Sequence, residues 1–330
     1  MTMKLTVNRP REMAVHKGVF ILSLISVALL SYACTHTDSN EKEYSRLDCL
    51  AGVGDWKEME ALSLQCYGDY IKTCYHNLSL ARQGRLAENL FKIRQHGPYG
   101  LLYIPEYHAS ANPCLAHVLF AMGNMAAAQN IAFNSMFTPE GYDYAMMKIV
   151  TQVELMRGSD KVANKYIDIL KTQREFREWA ENARKDPEIE RGRKDFPDEE
   201  AFVLDSPMED LFRILDKNPS DSLAMQYGIS YLLLAKDIVS TYKFIDRYFG
   251  RGALKTLPTP AQEALLFYSD YMQNVEGDDS VDSDWCRSHG VTDETIKRFG
   301  RFQQATLSNG GRAPDSFRTT FWHYLLYEQI

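Results

Sequence analysis

Residues 113–139 read PCLAHVLFAMGNMAAAQNIAFNSMFTP, and their reading decides the fold. Leu115, Val118, Leu119 and Met122 recur at i, i+3, i+4 and i+7, which is one stripe of a helix. Gly123 follows, a residue that ends a helix in the left-handed conformation at no steric cost. Asn124 is competent to cap a second helix, striped by Met125, Ala128, Ala132 and Met136 and stopped by Thr138-Pro139. Ala128 lies five residues after the glycine and Ala132 nine after. Small side chains there let two antiparallel helices approach closely. The stretch predicts a helical hairpin.

The same arrangement recurs. Tyr142, Ala145, Met146, Ile149, Val153 and Met156 predict a helix ending at Gly158, and Val162, Ala163, Tyr166, Ile167 and Leu170 predict its partner. Ala163 again lies five residues after the glycine. The turn glycines Gly84, Gly123 and Gly158 are 39 and 35 residues apart, close to the period of a helix-pair array. Looser pairs are expected over 44–66 and 69–95. Helical striping resumes from Ser206, with Leu257-Pro258-Thr259-Pro260 opening a further helix. The aromatic end, Phe317 to Tyr327, is expected to pack inward and close the array. The fold expected is all-α without a sheet: a right-handed α-solenoid of tetratricopeptide-like helix pairs. Ala128 and Ala163 are expected as buried helix-contact positions.

The first segment reads as an address. Lys4, Arg9, Arg11 and Lys17 precede an apolar run from Val19 to Leu30, and Ala33-Cys34 follows. A basic flank, a short apolar core and a small residue before the cut are secretory features, whether translation starts at Met1 or Met13. Cys34 directly after Ala33 resembles a bacterial lipoprotein box, in which the cysteine is acylated. Ser31 stands where that box usually carries Leu. Cleavage without lipid and a retained anchor are the alternatives, although the run is shorter than the ~20 residues of a spanning helix. All three send the remainder out of the cytoplasm. The expected order is a signal peptide over 1–33, a lipid anchor and tether over 34–42, an N-terminal helical-repeat lobe over 43–183, a charged linker or insertion over 184–205, and a C-terminal helical-repeat lobe with an aromatic cap over 206–330.

Charge narrows the partners. With the leader set aside, 33 basic residues face 43 acidic ones, a net charge of −10. That excess argues against nucleic acid and against docking on anionic lipid by a basic face. The loop GPYGLLYIPEYHASAN over 97–112 breaks the helical rhythm and carries Tyr99, Tyr103 and Tyr107. Docking of that loop on the domain is the plain expectation; a partner-binding role for the three tyrosines is the functional one. Glu106, His108, Cys114 and His117 are zinc-ligand residue types, yet His117 sits inside a helix beside Val118 and Leu119, and such a grouping arises easily by chance. No nucleophile–base pair, H-E-x-x-H or phosphate-cradling loop occurs, so no catalytic residue, metal or cofactor is assigned. Six cysteines, with Cys34 acylated, leave an odd five.

The order of Asn77–Phe91 (NLSLARQGRLAENLF), the GPYGLL loop, AHVLFAMGNMAAAQ, Leu257–Tyr268 (LPTPAQEALLFY) and the FWHYLLY end is similar to an uncharacterised Bacteroidota family, domain of unknown function 6057. The resemblance runs from Tyr44 to Tyr327. It implies a helical-repeat fold at the envelope and carries over no site residues; its longer members add a multi-pass membrane half that this chain lacks. The function expected is an envelope lipoprotein that scaffolds a protein or peptide and catalyses nothing. A surface glycan- or nutrient-capturing lipoprotein is the second reading, and a metal-dependent hydrolase on the Glu106–His117 group the third.

Overall fold

The computed structural model describes residues 40–64, 68–102, 109–138, 141–195 and 207–328. The expected signal peptide, Cys34, Tyr103, Tyr107, Glu106 and His108 lie outside the described residues. Residues 40–46 belong to a first unit and are helical; Leu47–Ile330 form a second, compact one.

The 113–139 hairpin forms as its sequence requires. Helix α5 (Asn112–Ala121) carries Pro113 in its first turn, where a missing N–H leaves no bond unmade. Gly123 adopts φ +87°, the Asn124 N–H returns to Leu119 O at 2.9 Å, and Asn124 Oδ1 accepts from Ala127 N at 3.2 Å to start α6 (Met125–Ser135). Ala128 and Ala132 are fully buried. The turn is repeated between α3 (Tyr70–Arg82) and α4 (Leu86–Asn89) at Gly84, and between α7 (Tyr144–Met156) and α8 (Asp160–Leu170) at Gly158. In each, the N–H after the glycine bonds five residues back along the first helix: Arg85 N to Leu80 O, Ser159 N to Glu154 O. Ala163 is fully buried. Helices α1 (40–53) and α2 (Trp56–Ser63) turn likewise at Gly54.

Two details depart from the sequence expectation. The chain is not wholly without sheet: Phe137–Thr138 and Gly141–Tyr142 pair antiparallel as β1 and β2. Tyr142 therefore belongs to a strand, and α7 starts two residues later because Asp143 caps it, its Oδ1 accepting from Met146 N at 3.0 Å. The second concerns the connection between α12 (Ser222–Leu234) and α13 (Ile238–Tyr248), a turn with no glycine. Lys236 takes the left-handed position there at φ 57°.

Three elements follow α8. Helix α9 (Arg177–Asn182) precedes the stretch expected as a charged linker, α10 (Pro187–Asp195) lies within it, and α11 (Pro207–Lys217) leads into α12. Helix α10 packs on α7, with Ile189 buried and Gly192 so close to Met156 that a Cβ would sit 2.5 Å from its sulfur. The chain ends with α14 (Thr259–Tyr271), α15 (Ser283–Ser288), α16 (Asp293–Ser308) and α17 (Phe321–Tyr327).

Helices that follow one another pack on one another: α2 with α3, α5 with α6, α6 with α7, α7 with α8, and α11 through α14 in turn. Helices α3 and α4 also pack against α12, a contact that a purely nearest-neighbour stack does not require. There the Leu86 N–H, one of α4's free amino-terminal donors, is satisfied by Gln226 Oε1 at 2.9 Å. The aromatic end packs inward as expected. Phe321 and Trp322 are fully buried, Trp322 Nε1 donates to Glu263 O at 2.8 Å, and Tyr324 packs 4.8 Å from Phe91.

Candidate functional site

The groups capable of chemistry gather on the odd-numbered helices of the first half. Asp48 on α1, Tyr75 on α3, His117 on α5 and Asp143 at the start of α7 form one group; Arg82 on α3, Lys148 and Gln152 on α7 and Glu188 on α10 form a second. His117 Nε2 lies 3.0 Å from Asp48 Oδ1, and both side chains are almost wholly buried. Asp48 also hydrogen-bonds the side chains of Asp143 and Tyr75. Removal from water pushes the Asp48 and Asp143 carboxyls up to about 7, and for Asp143 the neighbouring Asp48 adds to the effect. Two carboxyls this close hold a proton between them rather than both ionising. Burial pushes His117 down to about 3, so its contact with Asp48 is a hydrogen bond to a neutral imidazole instead of an ion pair.

A charged layer adjoins this group. Arg82 Nη1 meets Glu188 Oε1 at 2.6 Å across 106 residues of sequence, and the guanidinium lies 5.3 Å from the Trp56 ring centre. Burial raises and Arg82 lowers the Glu188 carboxyl, and the net direction is down. Lys148 Nζ donates to Gly52 O at 2.8 Å and rests 4.9 Å over Trp179; burial lowers its ammonium to about 8. Buried titratable groups displaced this far mark functional sites in many proteins. Here they are tied to one another, and among the described residues no three His, Cys, Asp or Glu side chains converge as a metal-holding group. Of the four zinc-ligand types read from the sequence, the two described ones part company. His117 turns to Asp48, while the Cys114 thiol points at Ile71 O (3.9 Å) and Cys74.

The surface offers a different kind of site. Tyr99 is 56% exposed and meets Tyr70, itself 43% exposed, edge to face at 6.5 Å; His96 lies 4.3 Å from the Tyr70 ring. The loop that presents Tyr99 is anchored from below. Asn77, fully buried, donates to Gly100 O at 2.8 Å and to Gln95 Oε1 at 3.0 Å, and Gln95 donates to Leu90 O at 2.6 Å. Leu101 and Leu102 are buried. So the loop docks by its leucines and holds a tyrosine outward. A second exposed row, Phe133, Phe137 and Tyr142, runs over α6 and the β-hairpin with ring centres 6.2 and 5.6 Å apart. Sequence reading missed this row, because Tyr142 fits the α7 stripe. The available signal was Gly141-Tyr142-Asp143, a turn followed by a cap.

These features define a mostly helical protein of paired helices, with chemistry-bearing groups locked inside and aromatic rings held out. The chain belongs to the family of unknown function DUF6057, whose model matches residues 2–328. No curated protein and no solved structure matches it.

Proposed function

We propose that this chain is an envelope protein that binds a protein or peptide partner and catalyses nothing. The observation that carries the reading is the Tyr70–Tyr99 pair. Two large rings stand in water, Tyr70 at the start of α3 and Tyr99 on a loop whose backbone is fixed by Asn77 and Gln95. Tyr offers wide contact area with few torsions to freeze, and a prefixed loop reduces the ordering cost of binding. Tyr103 and Tyr107, outside the described residues, are proposed as partner-binding residues on their place in the sequence alone. Stacked helix pairs, here proposed as a right-handed α-solenoid, present a continuous face suited to an extended or helical segment.

Location completes the proposal. A signal peptide over 1–33 exports the chain, and lipid on Cys34 holds it to the membrane outside the cytoplasm. No described helix is long and apolar enough to cross a membrane. Against turnover stands the placement of the acid–base groups. Asp48 and His117 answer each other under the surface, where a reacting bond has no approach.

The test is crosslinking in native envelopes with wild type and a Tyr70→Ala/Tyr99→Ala variant whose circular dichroism and melting match wild type. A specific protein partner recovered by wild type and lost by the variant is expected. The same proteins recovered by both would overturn the surface assigned. A melting shift with sugars and with no protein would favour glycan capture instead.

A further inference from the structure

Cys74 on α3 and Cys114 on α5 are the two described cysteines whose thiols touch. Cys114 interacts directly with Cys74 through its side chain. It also approaches Ile71 O, one helical turn before Cys74's neighbour Tyr75, so the two sulfurs occupy the same level of the α3–α5 interface. The Cys74 thiol donates to Tyr99 O at 3.1 Å. Around the pair runs a crevice lined by Ile71, Cys74, Ala111, Cys114, Leu115 and Val118, too narrow to admit a water molecule. Cys49 and Cys286 have no such neighbour among the described cysteines: Cys286 is buried with Ser269 at its thiol, and the charges that reach Cys49 are carboxylates.

We infer that Cys74 and Cys114 form a disulfide that staples α3 to α5 in the oxidised protein. The bond would close the chain that contains α4 and the loop bearing Tyr99. Two S–H bonds break and one S–S bond forms; the two protons end on the sulfurs of the reduced oxidant. The two electrons pass to a small or protein disulfide, which becomes two thiols by exchange through a mixed disulfide. The burial that holds the pair together also sets when the reaction happens. In the folded chain both thiols are buried, and burial pushes the Cys114 thiol well up, so little thiolate is present and no oxidant reaches it. The bond therefore forms as α3 and α5 come together during folding and is shielded from reduction afterwards. Oxidising conditions are those of the exported location proposed above, but the chemistry of the pair stands apart from it.

The experiment is to unfold the full chain under reductant and refold it with oxidised and reduced glutathione. After quenching, free thiols are alkylated in denaturant, and the unreduced digest is mapped by mass spectrometry. A peptide pair joined through Cys74 and Cys114, about 2 Da lighter than its two thiol peptides, is expected in most molecules, with Cys49 and Cys286 alkylated. The oxidised protein should melt ~5 °C above the reduced one, since cross-linking restrains the unfolded chain. In Cys74→Ser and in Cys114→Ser that difference disappears. Folded protein with both thiols alkylated, or joined to other cysteines, would overturn the inference. A chain that does not refold is mapped instead directly from cells after acid trapping, where the linked peptide supports the pair and two free thiols refute it. The linked peptide after refolding together with free thiols in cells supports the pair and counts against the exported location.

Discussion

His117 Nε2 and Asp48 Oδ1 meet at 3.0 Å, a histidine–carboxylate contact in which burial leaves neither partner disposed to be charged. Asp143, capping α7, brings a second carboxyl to the same spot. The contact is a packed polar joint among α1, α5 and α7.

The two carboxyls of that joint make stability fall as pH rises, while His117, buried neutral, acts in the opposite direction between about 3 and 6.5. Both carboxyls are raised from ordinary values near 4 to about 7, so in the folded chain they bind protons that the unfolded chain has released. Their contribution is fully present below about pH 4 and is lost as pH rises through about 7. Glu263, also raised to about 7 by burial, adds in the same direction. Asp48→Asn keeps the shape of the neutral form and cannot ionise. Its melting temperature should stand above wild type at pH 8 and close to it at pH 4. Parallel curves for the two proteins across that range would refute the shared-proton joint.

Ala128 and Ala163 set how closely the hairpin helices approach, and both are fully buried. Leu at either site forces three extra carbons into a filled interface. Urea unfolding should show a loss of about 1–3 kcal/mol for each. Leu at Ala126, half-buried on the same helix, serves as control and should change stability by less.

Arg82 and Glu188 join α3 to α10, with side-chain exposures of 13% and 25%. Glu188→Ala leaves a largely buried guanidinium without its carboxylate. The expected loss is about 2–3 kcal/mol, somewhat less than for a fully buried pair because water reaches part of the contact. Chemical denaturation of Glu188→Ala, Arg82→Met and the double variant gives the coupling. Additive losses would mean the two side chains act independently.

Lys236 holds a left-handed backbone position that a glycine fills in the other turns. The side chain explains it: Nζ donates to Leu325 O at 3.1 Å and lies 5.1 Å over the Tyr324 ring, tying the α12–α13 turn to α17. Lys236→Met keeps the backbone strain and removes the donor, and should lower stability by about 1–2 kcal/mol. Lys236→Gly relieves strain worth about 1 kcal/mol while losing the same bond, so it should fall between wild type and Lys236→Met. The ranking is read from urea midpoints.

Acylation is tested on Cys34 directly. Fatty-acid label should enter the wild-type chain and be absent from Cys34→Ala, with the mature amino terminus at residue 34. An unlabelled wild type starting at 34 would mean plain secretion, and a retained leader an anchor.

The sequence by itself determined the local architecture. Period-3.6 striping, glycines at 84, 123 and 158, and cap residues such as Asn124 act over a few residues, so their consequences are readable without knowing what packs where. The burial of Ala128, Ala163 and the Phe321–Tyr324 end was legible for the same reason. Other features depended on partners far along the chain. Lys236 reads as an ordinary helical lysine until Leu325 O is found beside it, 89 residues on. His117 and Cys114, three residues apart on one helix, look like a single ligand group. Only the tertiary structure turns one to Asp48, 69 residues earlier, and the other to Cys74. The charged stretch around Glu188 reads as a solvated linker because charges of both signs alternate along it with few apolar residues between them. Arg82, 106 residues away, pairs with Glu188, and the attraction that offsets their desolvation exists only once α3, α7 and α10 are packed together.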